Sequence, residues 1–122
     1  MRVAIIGASR NRAKYGNRAV RAYLRQGHEV FPVNPNAKEV DGLPAYPSIL
    51  AIPPGQIDRA LLYVPPEIAE KVLDELAQRQ VGEVWVNPGS ESDELFRKAQ
   101  QLGIKTVFAC SILDIGESPH QI

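Results

Sequence analysis

The chain has 122 residues, which is enough for one domain and too few for a separate substrate domain. Fourteen basic and fourteen acidic side chains give a formal net charge of zero, which excludes the broad positive field that nucleic-acid or membrane-surface binding requires. A single cysteine excludes an internal disulfide framework, and the N-terminus shows no signal peptide or long apolar segment. We expect one cytoplasmic domain over residues 1–122, with no nucleic-acid or membrane partner.

Five apolar runs of strand length alternate along the chain with segments of helical periodicity. The runs are Val3–Gly7, Glu29–Val33, Arg59–Val64, Glu83–Asn87 and Lys105–Ala109. Strands that alternate with helices pair in parallel, because each helix returns the chain to the same end of the sheet. The pattern therefore predicts an α/β fold with an open, five-stranded parallel sheet.

The four intervening segments are predicted to contain helices, with bounds set by caps and apolar stripes. The predicted helices are about Asn17–Gln26, Ser48–Ala51, Pro66–Gln80 and about Ser90–Gly103. Asn17 is the predicted N-cap of the first helix, and Ser90 with Asp93 forms a predicted capping box at the start of the last. Residues after about 115 are polar, and we expect them to be irregular and frayed.

The first strand opens into Gly7-Ala8-Ser9, a small-residue turn that is typical of phosphate binding. The next glycine is Gly16, so the G-x-G-x-x-G spacing of dinucleotide-binding proteins is absent. The loop between them carries the cations Arg10, Arg12 and Lys14. Its hydroxyl, its backbone amides and the following helix N-terminus favour a phosphate ligand. The alternative is a solvated basic loop without a ligand.

The carboxyl ends of the strands form the edge where open α/β sheets bind ligands. Proline and glycine dominate that edge, which suits a flat nucleotide held mainly by main-chain groups. The five ends are Gly7-Ala8-Ser9, Asn34-Pro35, Val64-Pro65-Pro66, Asn87-Pro88-Gly89 and Ala109-Cys110-Ser111. The second strand ends without the carboxylate that NAD-binding proteins use for the ribose, so NAD is disfavoured.

Together these motifs resemble the stand-alone CoA-binding domain proteins, which are similar to the N-terminal domain of the succinyl-CoA synthetase alpha subunit. The resemblance extends from about Val3 to Cys110 and covers nearly the whole chain. It implies a Rossmann-like open parallel sheet with helices on both faces, which binds coenzyme A through its ADP portion. Relatives often carry arginine before the cysteine of the fifth strand, where this chain has Ala109.

The resemblance also implies where each part of coenzyme A lies. The phosphates are expected at Ser9, Arg10 and Lys14, the adenosine along the second and third strand ends, and the pantetheine toward the fourth strand end. The expected binding residues are Gly7, Ala8, Ser9, Arg10, Lys14, Tyr15, Asn34, Pro35, Val64, Pro65, Pro66, Asn87, Pro88 and Gly89.

The sequence offers few candidates for catalysis. His28 and His120 are isolated, so neither is placed as a base for Cys110, and two lone histidines do not make a metal site. Cys110 could act as a nucleophile or form a mixed disulfide with the CoA thiol, and the alternative is a small buried hydrophobic residue. The synthetase needs a phosphorylated histidine on a further domain, so we expect no ligase activity.

We therefore predict a small cytoplasmic protein that holds coenzyme A or an acyl-CoA, with no catalytic residue and no metal ion. Two alternatives use the same fold: an NAD(P)-dependent oxidoreductase and a nucleotide-sensing regulatory module. The missing glycine spacing and the missing carboxylate at the second strand end disfavour the oxidoreductase.

Overall fold

Five parallel strands form the central sheet of the computed structural model, which describes residues 1–122. The strands of the chain are β1 (Arg2–Ile6), β2 (Glu29–Val33), β3 (Glu39–Val40), β4 (Leu43–Pro44), β5 (Arg59–Leu62), β6 (Glu83–Val86) and β7 (Thr106–Phe108). The sheet order is β2-β1-β5-β6-β7, so β2 lies on one side of β1 and the later strands lie on the other. The strand order therefore reverses at β1. This arrangement confirms the predicted Rossmann-like open parallel sheet.

Helices cover both faces of the sheet, as predicted. They are α1 (Tyr15–Arg25), α2 (Pro66–Arg79), α3 (Asp93–Leu102), α4 (Ser111–Asp114) and a short 3₁₀ helix (Ile49–Ala51). One buried cluster packs α1 and α4 against β1, and the other packs α2, α3 and the 3₁₀ helix against the opposite face. No helix combines the length and the apolar character that crossing a membrane requires.

Two predicted N-caps are wrong, because both side chains are used elsewhere. Asn17 is fully buried within the first turns of α1, and its amide donates to the Ser9 carbonyl (2.8 Å) and to Asp41 Oδ1 (3.0 Å). Ser90 is also buried and donates to two carbonyls at the end of β5. The N-cap of α3 is Ser92 instead, whose Oγ accepts from the Leu95 amide at 3.0 Å.

A small hairpin of β3 and β4 was not predicted. Its turn is Asp41-Gly42, and both residues have positive φ (49° and 79°), as a tight hairpin turn requires. The Asp-Gly pair is the signal that could have revealed it, although strands of two residues carry no periodicity. Beyond the hairpin, Tyr46 donates its amide to the Pro32 carbonyl and so covers part of the outer edge of β2.

The residues after Asp114 form no helix or strand, as expected, but they are not frayed. The carboxylate of Glu117 accepts hydrogen bonds from Arg25 and Gln26 of α1. The Pro119 carbonyl accepts from Arg18 Nη1 at 2.7 Å. We call residues 117–122 the C-terminal strap, because they lie along α1 and are attached to it at several points.

Candidate functional site

A cleft of about 1270 Å³ opens at the carboxyl ends of the parallel strands, where α/β sheets bind their ligands. All the predicted binding residues line this cleft except Arg10, which is exposed outside it. The structure therefore brings residues from the ends of β1, β2, β5 and β6 to one place. Its volume is ample for a nucleotide-sized ligand.

Glycine at two positions lets the first loop pack between β5 and α1. Gly7 has a φ of +90°, and a Cβ there would lie 2.3 Å from the Tyr63 carbonyl oxygen. A Cβ at Gly16 would lie 2.2 Å from the Gly7 carbonyl oxygen. Any larger side chain would push the loop away from the strand or from the helix. The two glycines thus fix the floor of the cleft.

The N-terminus of α1 opens into this cleft without an internal cap. Lys14 is the N-cap residue, its side chain makes no capping hydrogen bond, and the first turn holds no acidic residue. The backbone amides of Ala8, Ser9, Tyr15 and Gly16 donate to no acceptor in the protein. Ser9 Oγ accepts from the Asn11 amide at 3.0 Å, so its hydroxyl proton is free. A set of donors at a positive helix end fits an anion.

The cations of this region differ in whether a group of the protein already binds them. Arg12 pairs with Asp41 at 2.7 Å. Arg18 donates to the strap, and its guanidinium carbon lies 5.2 Å from the centre of the Tyr15 ring. Lys14 lines the cleft and makes no hydrogen bond or ion pair within the protein. Lys14 is therefore the cation best placed to meet a ligand.

The two asparagines of the cleft use their side chains within the protein. Asn34 Nδ2 donates to the Ala8 carbonyl at 2.9 Å and so ties the end of β2 to the first loop. Asn87 Oδ1 accepts from both the amide and the hydroxyl of Ser111, each at 2.9 Å, and its Nδ2 donates to the Leu62 carbonyl at 3.1 Å. These bonds hold the strand ends in place around the cleft.

Tyr63 lies beside this network at the end of β5. Its hydroxyl is 2.9 Å from Ser111 Oγ, and since Ser111 donates to Asn87, Tyr63 is the donor. Burial raises the pKa of Tyr63, so the phenol stays protonated. Cys110 is half-buried and lines the same cleft. No group of acidic, histidine or cysteine side chains in the structure could hold a metal ion.

Several residues that line the cleft were not predicted, among them Pro47, Ser48 and Ile49 at the 3₁₀ helix and Ile112 and Leu113 at α4. Two further walls were missed as well. One is the start of α2, where Ile68 and Val72 face the cleft together with Glu75. Ile68 is 45% exposed, and its position in the first turn of α2, directly after the Val64-Pro65-Pro66 strand end, is the signal that could have placed it there. The other wall is the strap, which contributes Pro119 and His120. No local pattern in the polar tail indicates that position.

Comparison with known proteins shows the family. The model of the CoA-binding domain family matches residues 1–115. The chain belongs to this family. The CoA-binding domain is 43% identical over 96 residues to ADP-forming acetate–CoA ligase II of Archaeoglobus fulgidus, which covers 75% of this chain and 14% of the ligase. It is 31% identical over 116 residues to the alpha subunit of ADP-forming acetate–CoA ligase II of Pyrococcus furiosus, covering 86% of this chain and 25% of that subunit.

Solved structures of this CoA-binding domain's relatives include short and long chains. A conserved hypothetical protein from Pyrococcus furiosus superposes with a TM-score of 0.85 at 34% identity, covering 93% of this chain and 97% of that one. Acetyl-coenzyme A synthetase 1 from Ca. Korarchaeum cryptofilum, in complex with phosphate and ADP, superposes with a TM-score of 0.77 at 30% identity. That match covers 88% of this chain and 25% of the synthetase. The chain thus spans a minor part of the ligases and synthetase and nearly all of the short protein.

Proposed function

We propose that this CoA-binding domain holds coenzyme A or an acyl-CoA through its ADP moiety and catalyses no reaction on it. The observation that carries the proposal is the uncapped N-terminus of α1, which opens into the cleft beside Lys14. Free amide donors, a free serine proton and an unpaired ammonium together suit a pyrophosphate or a ribose phosphate. The absence of an acidic residue in the first turn removes a charge that would repel it.

The rest of the ligand is assigned along the strand ends. The adenosine lies along Asn34-Pro35 and Val64-Pro65-Pro66, and the pantetheine runs toward Asn87-Pro88-Gly89. The strand ends assigned to the adenosine and to the pantetheine expose main chain and proline rather than long side chains. At Gly89, an added Cβ would meet no atom within 4 Å. An elongated ligand can therefore lie close to the backbone. Arg10 lies outside the cleft, which supports Ser9 and Lys14 as the phosphate contacts of the first loop.

Thermal unfolding with added ligand tests this function. Coenzyme A and acetyl-CoA are expected to raise the unfolding temperature, because a ligand at 100 times its dissociation constant adds about 2.7 kcal/mol to the free energy of unfolding. NAD at the same concentration is expected to add much less. Stronger stabilisation by NAD than by coenzyme A would favour the oxidoreductase alternative, and no stabilisation by any of the three would leave the domain without its proposed ligand.

Replacing Lys14 with alanine is expected to weaken coenzyme A binding by about 1.5–3 kcal/mol, the range for a hydrogen bond to a charged group. Isothermal titration calorimetry measures the change in Kd. Lys71→Ala is the matched control, because Lys71 is exposed on α2 and lies outside the cleft. Both variants are expected to fold like the wild type. An unchanged Kd in Lys14→Ala would remove this residue from the site.

Dephospho-CoA is expected to bind more weakly than coenzyme A. It lacks the ribose phosphate, and Lys14 is the first-loop cation that lines the cleft without a partner and can meet that group. The difference in binding free energy is expected to shrink as salt is added, because exposed charges are screened. Titrations at low and high salt measure it. Equal Kd values for the two ligands at low salt would show that the first loop does not bind the ribose phosphate.

A further inference from the structure

The C-terminal strap is attached to α1 although it lies beyond the residues that the family model matches, which end at 115. Arg25 and Gln26 hold the Glu117 carboxylate, and Arg18 holds the Pro119 carbonyl. Pro119 is buried. A polar segment without secondary structure is therefore fixed in one position along the helix that opens into the cleft.

This attachment brings His120 to the cleft. Its ring meets the Tyr15 ring edge to face, with the centroids 6.1 Å apart and an interplanar angle of 79°. The Tyr15 hydroxyl lies 3.5 Å from His120 Nδ1. Tyr15 is the first residue of α1, and Lys14 precedes it at the uncapped helix end. The imidazole thus lines the same cleft as the donors assigned to the phosphates and contacts the side chain of Tyr15, the residue that follows Lys14.

We infer that His120 contacts a phosphate group of the bound nucleotide and that its protonation strengthens binding. This inference rests on the proposed function. Histidine changes its charge in the physiological pH range, and a protonated imidazole offers a donor on each ring nitrogen. The strap then forms one wall of the site and makes the affinity for the nucleotide depend on pH.

The charged groups around His120 support an anionic ligand. Tyr15 contacts His120 from α1. Arg18 and Arg21 of the same helix donate to the carbonyls of Pro119 and Ile122 on the strap, and Lys14 lines the same cleft. Within its own segment, Glu117 is held by Arg25 and Gln26 and does not neutralise the histidine. A protonated His120 therefore lacks an acidic partner in the protein, and a ligand phosphate would supply one.

The strap itself stays attached over the range in which histidine titrates. Hydrogen bonds from Gln26 and Arg25 lower the pKa of Glu117 below its ordinary value of 4.5. A carboxylate with a lowered pKa keeps its stabilising contacts above that value and loses them only in stronger acid. Changes in binding between about pH 5.5 and about pH 8 then report on the cleft rather than on detachment of the strap.

The test compares the Kd for coenzyme A of the wild type and of His120→Ala across this pH range. At about pH 5.5 the wild type is expected to bind coenzyme A about three- to fivefold more tightly than His120→Ala, a difference of the size that an exposed ion pair contributes. At about pH 8, where histidine is neutral, the two proteins are expected to bind it equally. Titration of the ligand phosphates and of His28 is common to both proteins and cancels in the ratio. His120→Gln, which stays neutral, is expected to behave like His120→Ala.

Gln121→Ala is the matched control, because Gln121 is exposed on the strap and does not line the cleft. It is expected to follow the wild type at every pH. A ratio of one throughout, or a ratio that does not change with pH, would overturn this inference while leaving coenzyme A binding in place. If the wild type bound no coenzyme A at all, the proposed function and this inference would both be wrong.

Discussion

Gly7→Ala is expected to destabilise the fold by about 2–5 kcal/mol, the combined cost of a strained backbone and an overpacked site. The added Cβ would lie 2.3 Å from the Tyr63 carbonyl oxygen and 2.8 Å from a methyl carbon of Val64. The nearer obstacle, the Tyr63 carbonyl, is main chain, so a change of the Val64 rotamer cannot relieve the clash. Urea unfolding followed by circular dichroism measures the loss as a lower midpoint at an unchanged slope.

Gly27→Ala separates the two causes of that loss. Gly27 has a φ of +83°, close to the +90° of Gly7, but a Cβ there would meet no atom within 4 Å. Its substitution is expected to cost only the backbone term, about 1–2 kcal/mol. If the two variants lost the same stability, close packing of the first loop against β5 would not be the reason that Gly7 is required.

Asn87→Leu is expected to destabilise the fold by about 2–5 kcal/mol, because it leaves buried polar groups without partners. The amide and the hydroxyl of Ser111 would lose their shared acceptor, and the Leu62 carbonyl would lose one of its donors. Asn87 is 2% exposed, so water cannot replace these bonds without opening the structure. Chemical denaturation gives the difference in free energy of unfolding.

Asn36→Leu is the control for that change. Asn36 is exposed, and its side chain makes no hydrogen bond in the structure. The same chemical substitution there is expected to change stability by less than about 0.5 kcal/mol, as is usual for surface positions. Similar losses at both positions would show that the Asn87 network contributes little and that leucine itself is poorly tolerated.

The sheet could be predicted because its strands are continuous apolar runs that need no knowledge of their neighbours. The roles of the asparagines could not. Asn17, Asn34 and Asn87 carry the same amide, and whether it faces a ligand or a carbonyl depends on groups that are distant in sequence. Asn87, for example, meets a donor 24 residues away. The cleft could be located from the sequence, whereas the side chains that touch a ligand could not be separated from those that support it.

The strap shows the same limit. A polar tail after the last strand predicts solvent exposure from its composition, and its burial depends on partners early in the chain. Arg25 and Glu117 are 92 residues apart. A pattern confined to a window of sequence carries no information on such a pair.

The hydrogen bond from the Tyr46 amide to the Pro32 carbonyl has a consequence for the aggregation of folded molecules. An edge strand with a free ladder of amides and carbonyls is a template for another chain. Here β2 offers no amide at Pro32, and the carbonyl of that residue is already taken by Tyr46. The opposite edge, β7, has only three residues. Neither margin of the sheet presents a long template, so strand-by-strand aggregation of folded molecules is disfavoured.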